Sequence, residues 1–478
     1  MIPFLKKKDS GVNPEPSVDE EVSVQGVLPL PKTQAEIIPL GLQPRIALPT
    51  PSTTRQTEVL NTAVIGSPTD EEGILIGQDR LSGSMVCHDP FTAYEKGEVT
   101  SPHVVILGMI GTGKSSLMKT VYGMRQLALK KRRLVYIDKK TKAGASEGEY
   151  SELLRWYGVT PFTAKIDGDG GGGGTRLNPL DPVITKKTDK KTPLRLLMGL
   201  TEIARDSHTP LNPWEQKAMR LAAKQIFQFA ETENRVPLMN DLVPLLGKMD
   251  TPVVKNDPLL ADATSKDLER LHESGLGLRF TLEAVVLEEL SGLFDGPTSP
   301  WVDLDDTRPL TSFDVSQLPE EGPAIPMVIA VAHSWLLGMC RTRPGWQTTF
   351  GTDEGWHIVT GPTGALMKST SKLGRSLGVS NVIGLHRPGD IPPDSPGIGL
   401  LLEAETIHIY RQQRSIDIDA VMSLYDLQAG SKETLKSLRK GEHLLKVSNK
   451  PEIQVKHILS RVERELIDTD QGMVLESL

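Results

Sequence analysis

The hydrophobic positions of this chain form short apolar runs that are separated by stretches with helical spacing. Runs of this length at residues 104–107, 133–138, 381–385 and 406–410 predict buried strands. The segments 312–316 and 347–353 are further strand candidates, and 347–353 is poorer in aliphatic residues than a typical buried parallel strand. A longer apolar segment at 326–339 predicts a helix between two of these strands. Strands that alternate with helices indicate an α/β fold with a largely parallel sheet.

The other segments divide the chain into parts. Residues 1–70 are rich in Pro, Ser, Thr and Glu and predict a disordered, Pro-rich arm. Ordered structure is expected from residues 73–77 onward, with a strand candidate at 81–89. Helical spacing between 192 and 293, clearest at 212–231, 265–275 and 280–292, predicts an all-helical insertion. We therefore predict an arm (1–70), an α/β domain in two parts (71–184 and 301–467), a helical insertion (185–300) and a tail (468–478).

A phosphate-binding pattern follows the first of these strands. Its residues are Gly108, Met109, Ile110, Gly111, Thr112, Gly113, Lys114 and Ser115, and Ser116 opens a helical stretch that reaches about residue 130. Strand, glycine-rich turn and helix in this order define the P-loop, whose backbone N–H groups surround phosphate oxygens. Lys114 is expected to reach the β- and γ-phosphates and Ser115 to bind Mg²⁺. The sequence therefore predicts a site for ATP and Mg²⁺.

Hydrolysis needs further groups at neighbouring strand ends. Asp353 and Glu354 close the strand candidate at 347–353, where Asp353 is expected to hold Mg²⁺ and Glu354 to polarise the attacking water. His386 ends the next strand and is a candidate sensor of the γ-phosphate. Arg375, Arg411 and Arg414 are candidates for an arginine that acts on the site of a neighbouring subunit, and solvated surface arginine is the alternative for each.

Composition excludes several classes of protein. The 478 residues carry a net charge of −7, which argues against a generally basic nucleic-acid coat. The two cysteines, Cys87 and Cys340, give no disulfide framework, and no Cys/His cluster has zinc-ligand spacing. The longest apolar run, 325–340, is judged too short to cross a membrane. These features favour a cytoplasmic protein without an integral membrane segment.

Five stretches of the chain occur in a specific order between residues 75 and 465. They are the P-loop, residues 135–139 with Glu149-Tyr150, residues 176–181, residues 292–296 with 313–316, and Asp353-Glu354-Gly355-Trp356. This order resembles the VirB/TraC-type conjugation and type IV secretion ATPases of the FtsK–HerA superfamily of ring motors. The second stretch resembles the family's Asp-Pro-Lys-Gly-Glu-Tyr signature, the third its Asn-Pro-Leu/Phe-Asp element, and the last its Asp-Glu-Ala-Trp.

The resemblance implies a RecA-like P-loop motor domain with a helical insertion, assembled as a homo-hexamer with ATP between subunits. It also implies membrane-embedded channel proteins as partners, DNA as a candidate partner, and a peripheral position at the inner face of the cell membrane. Arg375 falls where the family has an arginine before the sensor strand. Two departures are specific to this chain. Residues 140–148 interrupt the signature before Glu149, and His386 stands where the superfamily commonly has glutamine.

Three functions remain open at this point. The first is a conjugation or type IV secretion ATPase that powers channel assembly or substrate transfer. The second is a soluble DNA translocase or coupling protein of the HerA/FtsK kind, whose channel would need basic side chains such as Lys186-Lys187 and Lys190-Lys191. The third is a scaffold that binds nucleotide without hydrolysing it, and the joint presence of Lys114, Asp353 and Glu354 argues against it.

Overall fold

A computed structural model describes residues 72–141, 147–166, 174–185, 192–205, 209–304, 309–359, 361–387, 391, 395 and 397–467. The described residues contain one eleven-stranded sheet in the order β2-β1-β11-β10-β9-β3-β8-β7-β4-β6-β5. Its strands are β1 (Leu75–Asp79), β2 (Met85–Cys87), β3 (Val104–Leu107), β4 (Arg132–Asp138), β5 (Phe162–Thr163), β6 (Leu310–Asp314), β7 (Gln347–Thr352), β8 (Val379–Leu385), β9 (Thr406–Tyr410), β10 (Glu442–Val447) and β11 (Ile453–His457).

The strands from β9 to β5 in this order pair in parallel, as the alternation of strands and helices predicts. Both faces of this region are covered. Val104 and Ile106 of β3 pack with one hydrophobic cluster, whereas Val105 and Leu107 pack with the other. Since successive side chains of a strand point to opposite faces, a strand buried on both faces has to be apolar throughout. This explains why the signal at 104–107 is a continuous run.

The helices cover the sheet and form the insertion. They are α1 (Pro90–Glu95), α2 (Lys114–Lys119), α3 (Arg125–Leu127), α4 (Ser151–Trp156), α5 (Pro182–Thr185), α6 (Thr192–Ile203), α7 (Pro213–Glu233), α8 (Met239–Leu242), α9 (Pro252–Lys255), α10 (Ser265–Leu282), α11 (Ala324–Thr342), α12 (Trp356–Val359), α13 (Gly361–Ser376), α14 (Ile398–Leu402), α15 (Ser415–Leu424), α16 (Ser431–Ser437) and α17 (Arg461–Ile467). Short π-helices (Thr120–Met124 and Glu283–Glu289) and 3₁₀ turns (Val243–Leu245 and Pro258–Leu260) complete them. Between β5 and β6 every described element is helical, so the predicted α/β fold with a helical insertion is confirmed.

The other half of the sheet is antiparallel. β10 pairs with β9 and β11, β11 pairs with β1, and β1 pairs with β2. The predicted strand at 81–89 is wrong over most of its length, because only Met85–Cys87 forms a strand there. The Asp79 carboxylate accepts hydrogen bonds from the backbone of Leu81 and Ser82 and closes a turn there. Asp89 instead caps α1 by accepting from the Thr92 backbone.

Two predicted helices differ from the structure in a way that matters. The segments at 265–275 and 280–292 are not separate, because α10 runs without a break to Leu282 and continues as a π-helix.

Helix α11 is 19 residues long and, among the described residues, is long and apolar enough to cross a membrane. The prediction that this apolar segment is too short to cross a membrane is therefore wrong as far as its length is concerned. Of its most apolar window, 89% is buried within the fold, as in the core helix of a folded domain.

Three predictions lie outside the described residues. They concern the arm at 1–70, the tail at 468–478, and the lysine pairs at 186–187 and 190–191. The boundaries of the predicted domains remain predictions.

Candidate nucleotide-binding site

The P-loop joins β3 to α2 at the carboxyl end of the parallel strands. β3 lies between β8 and β9, and the Gly108 N–H donates to the carbonyl of Leu385 at the end of β8. A Cβ atom on Gly108 would lie 2.4 Å from Cβ of Tyr410, so only glycine lets the loop pass this close to β9. Lys114 and Ser115 stand in the first turn of α2. The sequence pattern thus has the strand–turn–helix context that gives a P-loop its meaning.

Lys114 is buried and is bound inside its own loop. Its Nζ donates to the carbonyls of Gly108 at 2.6 Å and Met109 at 3.0 Å, and it lies 2.8 Å from Nδ1 of His386. Burial lowers the pKa of Lys114 to about 8, the charge of Asp353 opposes this shift, and the charge of Lys140 adds to it. In this arrangement the P-loop lysine is held by acceptors that a phosphate would replace.

His386 connects Lys114 to Glu354. An ammonium group only donates hydrogen bonds, so Nδ1 of His386 accepts from Lys114, and Nε2 carries the proton that it donates to Oε1 of Glu354 at 3.2 Å. Burial alone would raise the pKa of Glu354, yet the hydrogen bond from His386 and the nearby Lys140 hold it below its usual range. The carboxylate is therefore ionised and oriented, as a group that polarises water must be.

Ser115 and Asp353 meet where Mg²⁺ is expected. The Ser115 hydroxyl donates to Oδ2 of Asp353 at 2.6 Å. The Lys140 ammonium lies 3.2 Å from the same oxygen and 3.3 Å from Oγ of Ser115. A hydroxyl and a carboxylate that converge on a positive charge are the donor set that Mg²⁺ prefers, so the residues present fit this ion. Within the described ranges no cluster of three His, Cys, Asp or Glu side chains could hold a metal, which leaves phosphate oxygens and water to complete the shell.

Electrostatics at this point favour the charged forms. Burial would raise the pKa of Asp353, but Lys140, the Ser115 hydroxyl and Lys114 hold it below its usual range. Burial would lower the pKa of Lys140, but the carboxylates of Asp353, Glu149 and Glu354 raise it above its usual range. Lys140 is not among the site residues that the sequence predicts. Its position next to Lys139 in the family-like signature is the only sequence signal that points to it.

The interrupted signature is rejoined in space. The Glu149 N–H donates to the Lys140 carbonyl at 2.7 Å, and Thr141 forms an antiparallel bridge with Gly148. The Glu149 carboxylate is buried and lies 2.8 Å from Nζ of Lys119 in α2. Thr141 and Gly148 therefore lie next to each other in space. Their pairing places Lys140 and Glu149 side by side.

Two buried aspartates hold this return. Asp138 and Asp314 are register partners at the ends of β4 and β6. Oδ2 of Asp138 accepts from the Tyr150 N–H at 2.7 Å, and Oδ2 of Asp314 accepts from the Gly148 N–H at 3.3 Å. A Cβ on Gly148 would lie 2.1 Å from the Asp138 carboxylate, so glycine is required here. Burial, with the Asp314 charge adding to it, raises the pKa of Asp138 to about 8.

The candidate arginines lie in different places. The Arg375 guanidinium donates to the Thr100 carbonyl at 3.1 Å, on the amino side of β3, whereas the P-loop follows the carboxyl end of that strand. The Arg411 carbonyl accepts from the Met109 N–H at 3.4 Å, so its backbone adjoins the P-loop of its own chain. Arg414 lies 3.7 Å from Asp417. Action of any of them on a neighbouring subunit stays a prediction.

Solved structures with a similar fold include those of VirB4 and of the plasmid coupling protein TrwB. VirB4 of Thermoanaerobacter pseudethanolicus matches with a TM-score of 0.64 and 21% identity over 82% of this chain and 98% of that one. The plasmid coupling protein TrwB in complex with ADP and Mg²⁺ matches with a TM-score of 0.52 and 15% identity over 82% of this chain and 91% of that one. An unbound form of TrwB without its N-terminal part has a TM-score of 0.51 and 16% identity, covering 82% and 90%.

Comparison by sequence identifies no relative of this chain among family models or curated proteins. Identities below 25% establish a shared architecture and leave activity and partners open. The chain therefore has the RecA-like P-loop ATPase fold of VirB4 and of the TrwB coupling protein.

Proposed function

We propose that this chain is an ATP-hydrolysing motor of a conjugation or type IV secretion system, which powers channel assembly or the transfer of DNA or protein. The observation that carries the proposal is the connected polar chain from Lys114 through His386 to Glu354, beside the pair formed by Ser115 and Asp353. A protein that only bound nucleotide would have no need of an ionised, oriented carboxylate at this place. The likeness in fold to VirB4 supports the secretion context.

Each side chain has a separate task in hydrolysis. Lys114 leaves the carbonyls of Gly108 and Met109 and binds the β- and γ-phosphates, which carry more negative charge. Glu354 accepts from His386 through Oε1, which fixes the carboxylate and leaves its second oxygen to orient water. His386 then faces both the phosphate-binding lysine and the water-orienting carboxylate, as a sensor of the γ-phosphate should.

Magnesium would be held by Ser115 and Asp353 and would supply positive charge against the phosphates. Asp353 is suited to this because its carboxylate is buried, ionised and fixed by the Ser115 hydroxyl. β7 ends at Thr352, directly before Asp353, so the carboxylate lies at the end of a buried strand.

The proposal includes a homo-hexameric ring with ATP at the subunit interfaces. In a head-to-tail ring the surface that closes each site belongs to the neighbouring subunit. Arg375 lies away from the P-loop of its own chain, which is compatible with a role in the next one. We place the ring in the cytoplasm, peripheral to the membrane that carries its channel partners.

Replacing Glu354 with Gln tests the assignment of the water-orienting group. Glutamine keeps an oxygen that accepts from His386 but has no negative charge. We expect nucleotide affinity within about threefold of wild type, while turnover falls about 100-fold or more because positioned bases contribute that much. The measurements are steady-state phosphate release and equilibrium binding of a fluorescent ADP.

The matched control for this variant is Glu321→Gln, which makes the same chemical change at an exposed position. It should keep wild-type turnover. If Glu354→Gln also turned over ATP at the wild-type rate, the catalytic base would have to lie elsewhere.

The second candidate function is a DNA translocase or coupling protein. The likeness in fold to the plasmid coupling protein TrwB, at a TM-score of 0.52, is the observation that keeps it open. Such a motor binds the DNA backbone through Lys and Arg, so DNA should stimulate its hydrolysis and salt should remove the effect.

A further inference from the structure

We propose that Lys140 is a tethered substitute for the metal ion: its ammonium group occupies the magnesium position of the nucleotide-free site and allows nucleotide to bind without Mg²⁺. This inference rests on the proposed function, because it concerns the same site. It goes beyond that function by assigning a role to a residue that neither the P-loop nor the Asp353-Glu354 pair includes.

The first support is the set of oxygens around the ammonium. Nζ of Lys140 lies 3.2 Å from Oδ2 of Asp353 and 3.3 Å from Oγ of Ser115, the two groups expected to bind Mg²⁺. It also lies 3.6 Å from Oε1 of Glu354 and 3.9 Å from Oε2 of Glu149. The ammonium group thus contacts both groups expected to bind Mg²⁺ and lies within ion-pair distance of two further carboxylates.

The second support is that the P-loop lysine does not serve these carboxylates. Nζ of Lys114 is bound to two backbone carbonyls and to His386. Lys119 contacts Glu149, on the side of α2. Lys140, in contrast, contacts Asp353 at 3.2 Å and Glu354 at 3.6 Å. Without it, the buried carboxylate of Asp353 and the half-buried carboxylate of Glu354 would repel each other at neighbouring positions.

The third support is how Lys140 is mounted. Its backbone is fixed, because its carbonyl accepts from Glu149 and the next residue, Thr141, bridges to Gly148. Its side chain is 34% exposed, whereas those of Asp353 and Glu149 are 5% and 7% exposed. Because the Lys140 backbone is fixed and its side chain is partly exposed, the ammonium group can move toward solvent while the carboxylates stay in place.

Two consequences follow for ligand binding. When Mg²⁺ accompanies the nucleotide, metal and ammonium compete for Asp353 and Ser115, and the divalent ion displaces Lys140. When no metal is present, the ammonium stays beside Ser115 at the end of the P-loop and neutralises phosphate charge there. The affinity of the wild type for nucleotide should therefore depend only weakly on Mg²⁺.

The test measures equilibrium binding of a fluorescent, non-hydrolysable ATP analogue in Mg²⁺ and in EDTA. For the wild type we expect the dissociation constant in EDTA to exceed that in Mg²⁺ by less than about tenfold. For Lys140→Met this ratio should be about 10- to 100-fold larger than in the wild type, which is the size of one charge-assisted contact. Lys140→Arg, which keeps the charge, should restore most of the metal-independent binding.

The matched control is Lys139→Met. Lys139 precedes Lys140, but its Nζ pairs with Glu320 at 3.2 Å and lies 5.5 Å from the centre of the Trp356 ring. Its ratio should equal that of the wild type. An unchanged ratio in Lys140→Met would overturn the inference while leaving the proposed function intact.

The wild type alone provides a second test that depends on no variant. Binding that strictly requires Mg²⁺ would overturn the metal-substitute role even if Lys140→Met failed to fold. If the wild type bound the analogue in neither condition, the proposed function itself would fail.

Discussion

Replacing Lys114 with Ala is expected to lower the rate of ATP hydrolysis by roughly 10³-fold or more, below the detection limit of a steady-state assay. The reason is geometric as well as electrostatic. Lys114 opens α2 directly after Gly113, and its ammonium lies within 3.0 Å of the loop carbonyls of Gly108 and Met109. Lys114→Ala therefore removes the ammonium group that the loop itself holds in position for the phosphates.

Two further variants separate chemistry from folding. Lys114→Met keeps the buried aliphatic stem and should be as inactive as the alanine variant, because both lack the ammonium. Lys130→Ala removes an exposed lysine shortly after the P-loop helix and should hydrolyse ATP at the wild-type rate. Phosphate release and thermal unfolding are measured for all three. Hydrolysis that persisted in folded Lys114→Ala would show that the site has been assigned wrongly.

The second large effect is loss of the fold in acid. Burial lowers the pKa of His88 and His333 to about 4 and that of His103, His443 and His457 to about 3. The pKa of histidine in the unfolded chain is about 6.5. As the pH falls below that value, the unfolded state takes up protons that the folded state cannot bind. The unfolding free energy therefore decreases from about pH 6.5 down to the folded pKa values.

The size of the effect follows from these pKa values. At pH 5 each of these histidines removes about 2 kcal/mol of stability, or about 10 kcal/mol for the set. Asp138 acts in the opposite sense. Its pKa of about 8 in the fold means that its contribution to stability is lost as the pH rises, so acidification from pH 8 to 5 returns about 4 kcal/mol. The loss from these six groups together, about 6 kcal/mol, is comparable to the whole stability of many domains.

We therefore expect cooperative unfolding near pH 5, followed by circular dichroism at constant ionic strength. His443 provides the most specific variant, because neither of its buried ring nitrogens has a hydrogen-bond partner in the described part of the chain. His443→Phe should lower the midpoint by about 0.3 pH unit, since one proton fewer drives unfolding. His272→Gln, at an exposed position of α10, should leave it unchanged. A native spectrum at pH 4 would contradict the effect of these buried histidines.

The parallel half of the sheet could be predicted because its signals are local. β3 and β9 were expected at the positions where they occur, and the P-loop pattern marks the carboxyl end of β3. The hairpin of β10 and β11 was not predicted. β10 contains Glu442 and His443, both buried, so neither strict alternation nor a continuous apolar run marks it as a strand.

The limits of prediction at the site have a different cause. Order along the chain is enough to propose most of the site, because these residues lie at or shortly after the ends of predicted strands. They are Ser115, Asp353, Glu354 and His386. Lys140 lies at the site next to the bridge between Thr141 and Gly148. This arrangement is held by Asp138 and Asp314, which come from strands more than 170 residues apart in sequence. Contacts of this kind depend on tertiary structure and leave no periodic signal.

The most direct test of the account is steady-state ATP hydrolysis by the purified chain, with and without duplex and single-stranded DNA, across a salt series. A secretion motor that docks on a channel should show low, magnesium-dependent turnover that Lys114→Ala abolishes and that DNA leaves unchanged. Turnover that Lys114→Ala retains would contradict the account, whereas strong stimulation by DNA that fades as salt rises would favour the DNA translocase over a motor that acts on the channel.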